Sequence, residues 1–419
     1  MSSSIPIGLI RMATDLQLSE AKYKNFLFSP CCIQLTLSLL ANGAKGSTSK
    51  ELLELLEAKN LTQVNSIVPK MIQNLTGSSR GEPRIAYVSG LWVDKSLTLN
   101  PTFKIDAKNI FKTEAKNNGF QENINEKLAM DGGGKGSTVL VNNVIPGDSF
   151  CLPIPTSIVL ANALYFSGKW SKRFDKSLTI DSEFYLSDRN WVNNVPFMRS
   201  TKDQFIETFK DFKILRMSYK SIDRDISMYI ILPHEKNGLW DLLEKVRSDP
   251  LFLTRDLHKI SKKAKVGRFM IPKFKFTYMF EASDVLKRIG VIGSFTNLTD
   301  FGEMVQGLEH GKWLRVLEWL RILELRHDGG IQVDEDGTNT ASRTSTRSRV
   351  GCVRQQPRVD FVADHPFMYM VRDDVTGMVL FMGHVINPRS GGDDDQTGAV
   401  CCALYLILLS LFIILFIDQ

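Results

Sequence analysis

Residues 333–352, VDEDGTNTASRTSTRSRVGC, form a long polar run whose only basic side chains are three arginines. Arg343, Arg347 and Arg349 share one parity, so they would lie on one face of an extended chain, because successive side chains of a strand alternate between faces. With almost no large apolar side chain, the run has the composition of a solvent-exposed linker. The opposite set carries only small or β-branched, uncharged side chains: Thr338, Thr340, Ser342, Thr344, Thr346, Ser348 and Val350.

The shared parity of the arginines has two explanations. Three arginines fall on one parity by chance about one time in four under a two-residue period, and charge also keeps an exposed loop soluble. Alternatively, the run can form a strand with one face against a core, where an arginine of the other parity would bury a charge at considerable cost. The small side chains of the opposite set favour this second explanation.

Motifs of enzyme and metal chemistry are missing from the sequence. It contains no HExxH, GxSxG or CxxC, and GGGKGST at 132–138 lacks the GxxxxGK[ST] spacing of a phosphate loop. Four of the six cysteines form two adjacent pairs, which rarely bridge each other. We therefore predict a chain with reduced thiols that is not an enzyme and needs no metal or cofactor.

The composition is that of a folded globular protein, with 43% hydrophobic and 23% charged residues among 419. A net charge of +6 spread over this length is weak support for nucleic-acid binding, so we predict no nucleic-acid partner. The N-terminus shows no secretory signal peptide.

The C-terminus carries 19 uncharged residues at 399–417, AVCCALYLILLSLFIILFI, after a polar spacer at 389–398. This length suits a membrane-spanning tail anchor. A buried helix and an aberrant terminus are the alternatives.

The chain changes character from helices to strands. Residues 1–120 have mostly helical spacing with one strand pair, and Ser47 or Thr48 is expected to cap a helix after a small-residue break. Strand-like segments follow at 157–170, 227–233 and 265–280. Helices first and strands later, without regular βαβ alternation, predict an α+β fold.

A near-tandem repeat, WLRVLE followed by WLRILE, occupies residues 313–324. Its charges recur every third residue, which matches neither strand alternation nor a clean helical stripe. Extension of a strand edge by a local duplication is one interpretation, and we assign no element here.

Six segments carry a family resemblance, and they are FSPCCIQLTLSLLANGAKGST, LANALYFSGKW, SMYIILP, FEASDVLKRIGV, IQVDEDGT and DFVADHPFMYMVRDDVTGMVLFMGHVINP. In this order, between about residue 5 and residue 388, they resemble a serpin, most closely a plant-type one. The resemblance implies a helical region with a large central β-sheet, in one domain at 1–388, and an exposed reactive-centre loop at about 337–358. It also implies a monomer in the cytoplasm or outside the cell, with the tail anchor at 399–417 as a further candidate.

The resemblance implies inhibition of serine endopeptidases by a suicide mechanism. The protease would attack the loop, form an acyl-enzyme, and be trapped when the cut loop inserts into the central sheet. Trypsin-like serine proteases are the expected partners, with cysteine proteases as further candidates. In this setting SKKAKVGR at 261–268 is a candidate polyanion patch, although a solvated strand end is the simpler explanation.

The resemblance also implies three groups of functional residues. The spacing usual in the family, counted from Gly337, ends at Gly351, but a slightly short loop leaves Arg349 and Arg354 as alternatives for the residue before the scissile bond. The scissile region is thus Arg349, Val350, Gly351, Cys352 and Arg354. The hinge is Glu335, Asp336, Gly337, Thr338, Thr340 and Ser342. A polar cluster beneath the opening sheet is Ser29, Asn162 and His327.

Three departures favour an alternative, a non-inhibitory protein of the same fold that acts as a protease substrate or a membrane-tethered binding module. The hinge is rich in Thr and Ser, where the family has alanine. Four glycines at 132–136 weaken an expected helix over the central sheet. The tandem repeat adds about seven residues before His327.

Overall fold

The computed structural model describes residues 6–19, 21–76, 83–93, 95–116, 156–186, 190–257, 260–274, 276–281, 298–307, 313–322 and 358–389. The predicted hinge and scissile region, His327, the glycine-rich stretch and the tail at 399–417 lie outside these residues.

Helices dominate the first part of the chain, as the sequence predicted. The helices of the described residues are α1 (Ile7–Ser19), α2 (Pro30–Gly43), α3 (Gly46–Leu55), α4 (Leu61–Thr76), α5 (Pro101–Asn109), α6 (Leu239–Ser248) and α7 (Phe252–Leu257). At the start of helix α5, Asn100 caps the helix by accepting a hydrogen bond from Thr102 N, and Pro101 occupies the first turn, where no N–H is needed.

Strands make up most of the remainder. They are β1 (Phe26–Phe28), β2 (Arg84–Val93), β3 (Thr98–Leu99), β4 (Glu114–Lys116), β5 (Thr156–Ser167), β6 (Ile180–Tyr185), β7 (Trp191–Arg199), β8 (Phe205–Thr208), β9 (Phe212–Ser218), β10 (Ile226–Pro233), β11 (Val266–Pro272), β12 (Phe276–Glu281), β13 (Val305–Gln306), β14 (Trp313–Ile322), β15 (Val359–Val362), β16 (Phe367–Asp373) and β17 (Val379–Val385).

Three larger sheets organise these strands. The central sheet has the order β12-β14-β5-β2-β4, a six-stranded sheet has the order β1-β17-β16-β10-β9-β8, and a four-stranded sheet has the order β15-β11-β7-β6. Strands β3 and β13 form a separate pair. The predicted α+β class is therefore confirmed, with a central sheet of mixed direction.

Helix α2 forms the centre of the core between two sheets. Twelve of its 14 residues are buried, and it contacts both β5 of the central sheet and β17 of the six-stranded sheet. A helix that is apolar on almost every side must be enclosed, because each exposed apolar side chain would forgo the free energy of burial. Strand β10 is buried at all eight positions for the same reason.

Two local expectations need revision. Residues 313–322 of the repeat form β14, an interior strand that pairs antiparallel with β12 and parallel with β5, so it does not extend a sheet edge. Neither Ser47 nor Thr48 caps α3. Asp300 does so from a distant part of the chain, accepting hydrogen bonds from Thr48 N at 3.2 Å and Ser47 Oγ at 3.3 Å.

Candidate functional site

Strand β14 is the last described element before the predicted loop in the sequence, and the line along which it pairs with β5 is called the seam here. The two strands run parallel and pair directly, from Leu314 opposite Ile158 to Ile322 opposite Phe166. The chain leaves β14 at Ile322 and rejoins the described structure at Arg358, next to β15. The whole predicted loop therefore lies between the end of this interior strand and the four-stranded sheet.

One polar residue interrupts the buried face of β5. Alternate residues of the strand are buried, namely Ile158, Leu160, Asn162, Leu164 and Phe166. A buried amide without hydrogen bonds is costly, so Asn162 requires partners within the core.

Helix α2 and strand β2 supply partners to Asn162. Its Nδ2 donates a hydrogen bond to Thr36 Oγ1 on α2, and its Oδ1 accepts one from Tyr87 OH on β2 at 3.3 Å. Thr36 is buried, and Tyr87 is partly buried. The amide thus fastens the strand beside the seam to the helix beneath the sheet.

The polar layer continues across the central sheet. Ser89 of β2 is paired in register with Asn162 and accepts a hydrogen bond from Thr113 Oγ1 at 2.8 Å. On the other side of Asn162, the register places Glu318 of β14 opposite it. The layer lies among apolar rows, such as Leu91 of β2 paired with Leu160.

Ser29, another member of the predicted polar cluster, lies at the start of α2. It is the N-cap of α2, where its Oγ accepts a hydrogen bond from Cys32 N at 3.4 Å and lies 3.2 Å from Cys31 Sγ. Ser29 and Asn162 are therefore connected through α2. His327, the third predicted member, lies outside the described residues.

The sequence analysis missed Thr36, Tyr87, Ser89 and Thr113. A usable signal existed for Thr36, because it follows Ser29 by seven residues, or about two helical turns, and so falls on the same face of α2. Tyr87 and Ser89 occupy alternate positions of β2 and gave no signal that distinguished them from ordinary strand residues.

The chain is anchored firmly where it returns after the loop. Val359 N donates to Lys265 O at 2.8 Å, and the carboxylate of Asp360 accepts a hydrogen bond from Arg268 N at 2.7 Å. Strand β15 also pairs parallel with β11. The chain that follows the loop is thus attached to the four-stranded sheet, whereas β14, the last described strand before the loop in the sequence, belongs to the central sheet.

Comparison with known proteins identifies the family to which this chain belongs. The family model described as serpin, serine protease inhibitor, matches residues 10–388. The chain belongs to the serpin family. As predicted, it is therefore a member of a family of protease inhibitors and not an enzyme.

The relatives of this serpin include several plant proteins. It is 36% identical to Serpin-ZX of Arabidopsis thaliana over 386 residues, which cover 90% of this chain and 96% of the relative. It is 37% identical to Serpin-ZXA of Oryza sativa subsp. japonica over 373 residues, which cover 87% of this chain and 90% of the relative.

A solved structure supports the same assignment for this serpin. Arabidopsis AtSerpin1 in its native stressed conformation matches with a TM-score of 0.77 and 33% identity, covering 91% of this chain and 96% of that one. The predicted serpin fold, with helices and a large central sheet, is confirmed.

The described part of this serpin contains neither a metal site nor a membrane-spanning helix. No cluster of His, Cys, Asp or Glu there could hold a metal ion. No helix there is long and apolar enough to cross a membrane, and the segment at 399–417 is not among those residues.

Proposed function

We propose that this serpin traps serine endopeptidases, trypsin-like ones first, by cleavage of the loop at about 337–358 and insertion of the cut strand. The observation that carries this proposal is the direct parallel pairing of β5 and β14. Cysteine proteases, which also form acyl-enzymes, are the second expected class of target.

The topology of the seam is suited to insertion. The loop follows β14, so a segment that folds back from its end runs antiparallel to both β14 and β5. Backbone groups on both edges of the new strand would then find partners. The 12 residues of β5 are about 40 Å long, and residues 338–351 would extend about 45 Å, so the loop can fill the seam.

The chemical step uses the protease's own nucleophile. Its serine attacks the carbonyl of Arg349 or Gly351, with Arg354 as third candidate, and the peptide bond breaks to leave an ester and a free amine on the next residue. Insertion would carry the ester-linked protease away from the loop's original position. Distortion of its oxyanion hole would slow hydrolysis of the ester by about 100-fold or more.

Strand β5 is positioned to stay in place while the seam opens. Its register with β2 runs from Ser167 opposite Arg84 to Ile158 opposite Val93, and Asn162 ties it to α2. Separation is therefore expected on the β14 side of β5. We place the hinge at Glu335, Asp336, Gly337, Thr338, Thr340 and Ser342, with Ser29, Asn162 and His327 beneath the opening sheet.

A gel assay tests the proposal. The protein truncated after Pro388 is incubated with trypsin and, separately, with papain, then boiled in detergent and separated by mass. A covalent serpin–protease band is expected, and mass spectrometry of the released peptide identifies the scissile bond. Complete loop cleavage with no such band for either protease would refute inhibition and support the substrate alternative.

The proposed tail anchor at 399–417 is tested separately. Cells that express the full-length chain and the form truncated after Pro388 are fractionated into membrane and soluble pools. Only the full-length protein should sediment with membranes and resist extraction at high salt. Equal recovery of both forms in the soluble pool would contradict the anchor.

A further inference from the structure

A groove beyond the end of β5 gathers positive charge from three separate segments. Lys172 and Arg173 follow β5, Lys202 lies in the turn between β7 and β8, and Arg216 lies on β9, and all four line the groove. The ring of Phe205 and the side chain of Trp170 also line it.

A fifth cation, Lys263, reaches the same place from the segment before β11. Gln204 and Ala264 exchange two backbone hydrogen bonds, Gln204 N to Ala264 O at 3.2 Å and Ala264 N to Gln204 O at 2.8 Å. This bridge places Lys263 Nζ over the ring of Phe205, at 5.3 Å from its centroid. Lys263 of SKKAKVGR thus contacts a residue that lines the groove.

The positive charges of this groove are only partly neutralised by acidic side chains. Arg216 is paired with Asp374 at 2.8 Å and with Asp225 at 3.4 Å. Within the described residues, Lys172, Arg173, Lys202 and Lys263 form no ion pair within 4.0 Å. The side chain of Lys263 lies next to that of Lys172, and this neighbouring cation lowers the pKa of Lys172, with desolvation as a smaller cause.

Such an arrangement leaves an electrostatic cost in the folded protein. Two like charges in contact repel each other, and an anion placed between them would convert the repulsion into attraction. Asp203 offsets only part of the charge, since it acts on Lys172 more weakly than the two lysines Lys263 and Lys202 do.

The groove also contains an oriented neutral donor. Ser200 Oγ accepts hydrogen bonds from Lys202 N and from Gln204 Nε2, both at 3.2 Å. With both acceptor directions of this hydroxyl used, its own proton remains to be donated. Since Ser200 lines the groove, this proton is available to an oxyanion bound there.

We propose that this groove binds a compact, multiply charged oxyanion of the phosphate or sulfate class, held by Lys172, Lys202 and Lys263 with Ser200 as a neutral donor. The ligand is compact because the cations converge on one groove from three segments. A linear polyanion would instead require a stripe of charge along the surface. Binding here is separate from loop cleavage, so it can be tested without any protease.

Titration calorimetry of the truncated protein with inorganic tripolyphosphate tests the site. We expect one site per chain, weakened about tenfold or more by the Lys172→Gln/Lys263→Gln double variant. The matched control is Lys50→Gln/Lys104→Gln, which removes the same charge from two exposed positions on α3 and α5 and should leave the affinity unchanged. The affinity should fall as salt increases, because the contacts are charge–charge contacts near solvent.

A second measurement guards against a variant that simply unfolds. Without ligand, the Lys172→Gln/Lys263→Gln variant should melt no lower than the natural protein, because it loses a like-charge contact. With tripolyphosphate, the natural protein and the Lys50→Gln/Lys104→Gln control should gain melting temperature and the groove variant should not. Absence of binding, equal loss in both variants, or binding of dextran sulfate but not of tripolyphosphate would each overturn the proposal.

Discussion

Asn162 of β5 donates a hydrogen bond from Nδ2 to Thr36 Oγ1 of α2, and both residues are buried. The central sheet is therefore joined to the helix beneath it by a side-chain contact beside the seam where insertion is proposed. This buried hydrogen bond holds β5 in position over α2, because a displaced amide would have to find a new partner or bear the cost of desolvation.

Replacing Thr36 with valine tests the stabilising role of this contact. Thr36→Val keeps the shape of the side chain but removes the acceptor of the Asn162 amide. The free energy of unfolding in urea should fall by about 1–3 kcal/mol, the cost of a buried polar group that loses its partner. Thr36→Ser is the control, since it keeps the hydroxyl, and it should cost clearly less. Equal losses in the two variants would indicate a packing role only.

His384 predicts a specific dependence of stability on pH. It is fully buried, its Nε2 lies 3.1 Å from Ala21 O and 3.0 Å from Lys24 O, and its Nδ1 lies 3.1 Å from the Gln17 side-chain amide. Burial lowers the pKa of His384 to about 4, although the two carbonyls act in the opposite direction. The folded state thus favours the neutral ring.

The sign of the His384 effect follows from this lowered pKa. Its contribution to stability is fully present above the unfolded pKa of about 6.5 and is lost as the pH falls toward 4. The total loss is on the order of 3 kcal/mol. His384→Gln removes the titrating ring. Measured by urea unfolding, the free energy of unfolding of the natural protein should therefore fall relative to that of the variant as the pH is lowered from 6.5 to 4. Parallel pH profiles would contradict this assignment.

Asp300 should stabilise the start of α3. Its carboxylate accepts hydrogen bonds from Thr48 N and Ser47 Oγ, and its backbone carbonyl accepts one from Lys45 N at 2.8 Å. Asp300→Ala is expected to lower the free energy of unfolding by about 1 kcal/mol, as for the loss of an N-cap. Asp300→Asn keeps an acceptor and loses only the charge near the helix N-terminus, so a smaller loss is expected. An alanine variant as stable as the natural protein would show that this cap contributes nothing.

Local sequence signals mark the starts of some helices. Ser29 before Pro30, and Asn100 before Pro101, mark the starts of α2 and α5, because the cap and the proline act within one turn. The cap of α3 could not be predicted this way, since Asp300 lies 252 residues beyond Thr48. Likewise, β14 has a three-residue charge period, and its strand conformation follows from pairing with β12 and β5 on both sides.

The residues of the candidate site show the same contrast between local signals and contacts from distant parts of the chain. Asn162 was predicted through family resemblance, and its partner Thr36 was not, because the contact depends on how α2 packs beneath β5. The loop is predicted from its sequence pattern. Insertion makes a specific demand on that pattern, because a strand that inserts between two others must present the residues of one parity to the core.

A pair of neighbouring substitutions tests this demand on the loop. Thr340 belongs to the small, uncharged set, and Ala341 belongs to the set that carries the arginines. Thr340→Arg would force a charge toward the core during insertion, which is far more costly than a charge facing solvent. The covalent band with trypsin should therefore be lost, while cleavage of the loop continues at a similar rate.

Ala341→Arg is the matched control for Thr340→Arg, because it adds the same side chain one residue later and on the opposite parity. It should keep the covalent band, since the added charge would remain in solvent. Melting before and after loop cleavage gives an independent readout: cleavage should raise the melting temperature of the Ala341→Arg protein and leave that of Thr340→Arg unchanged. Similar behaviour of the two variants would mean that the loop does not insert with the proposed parity.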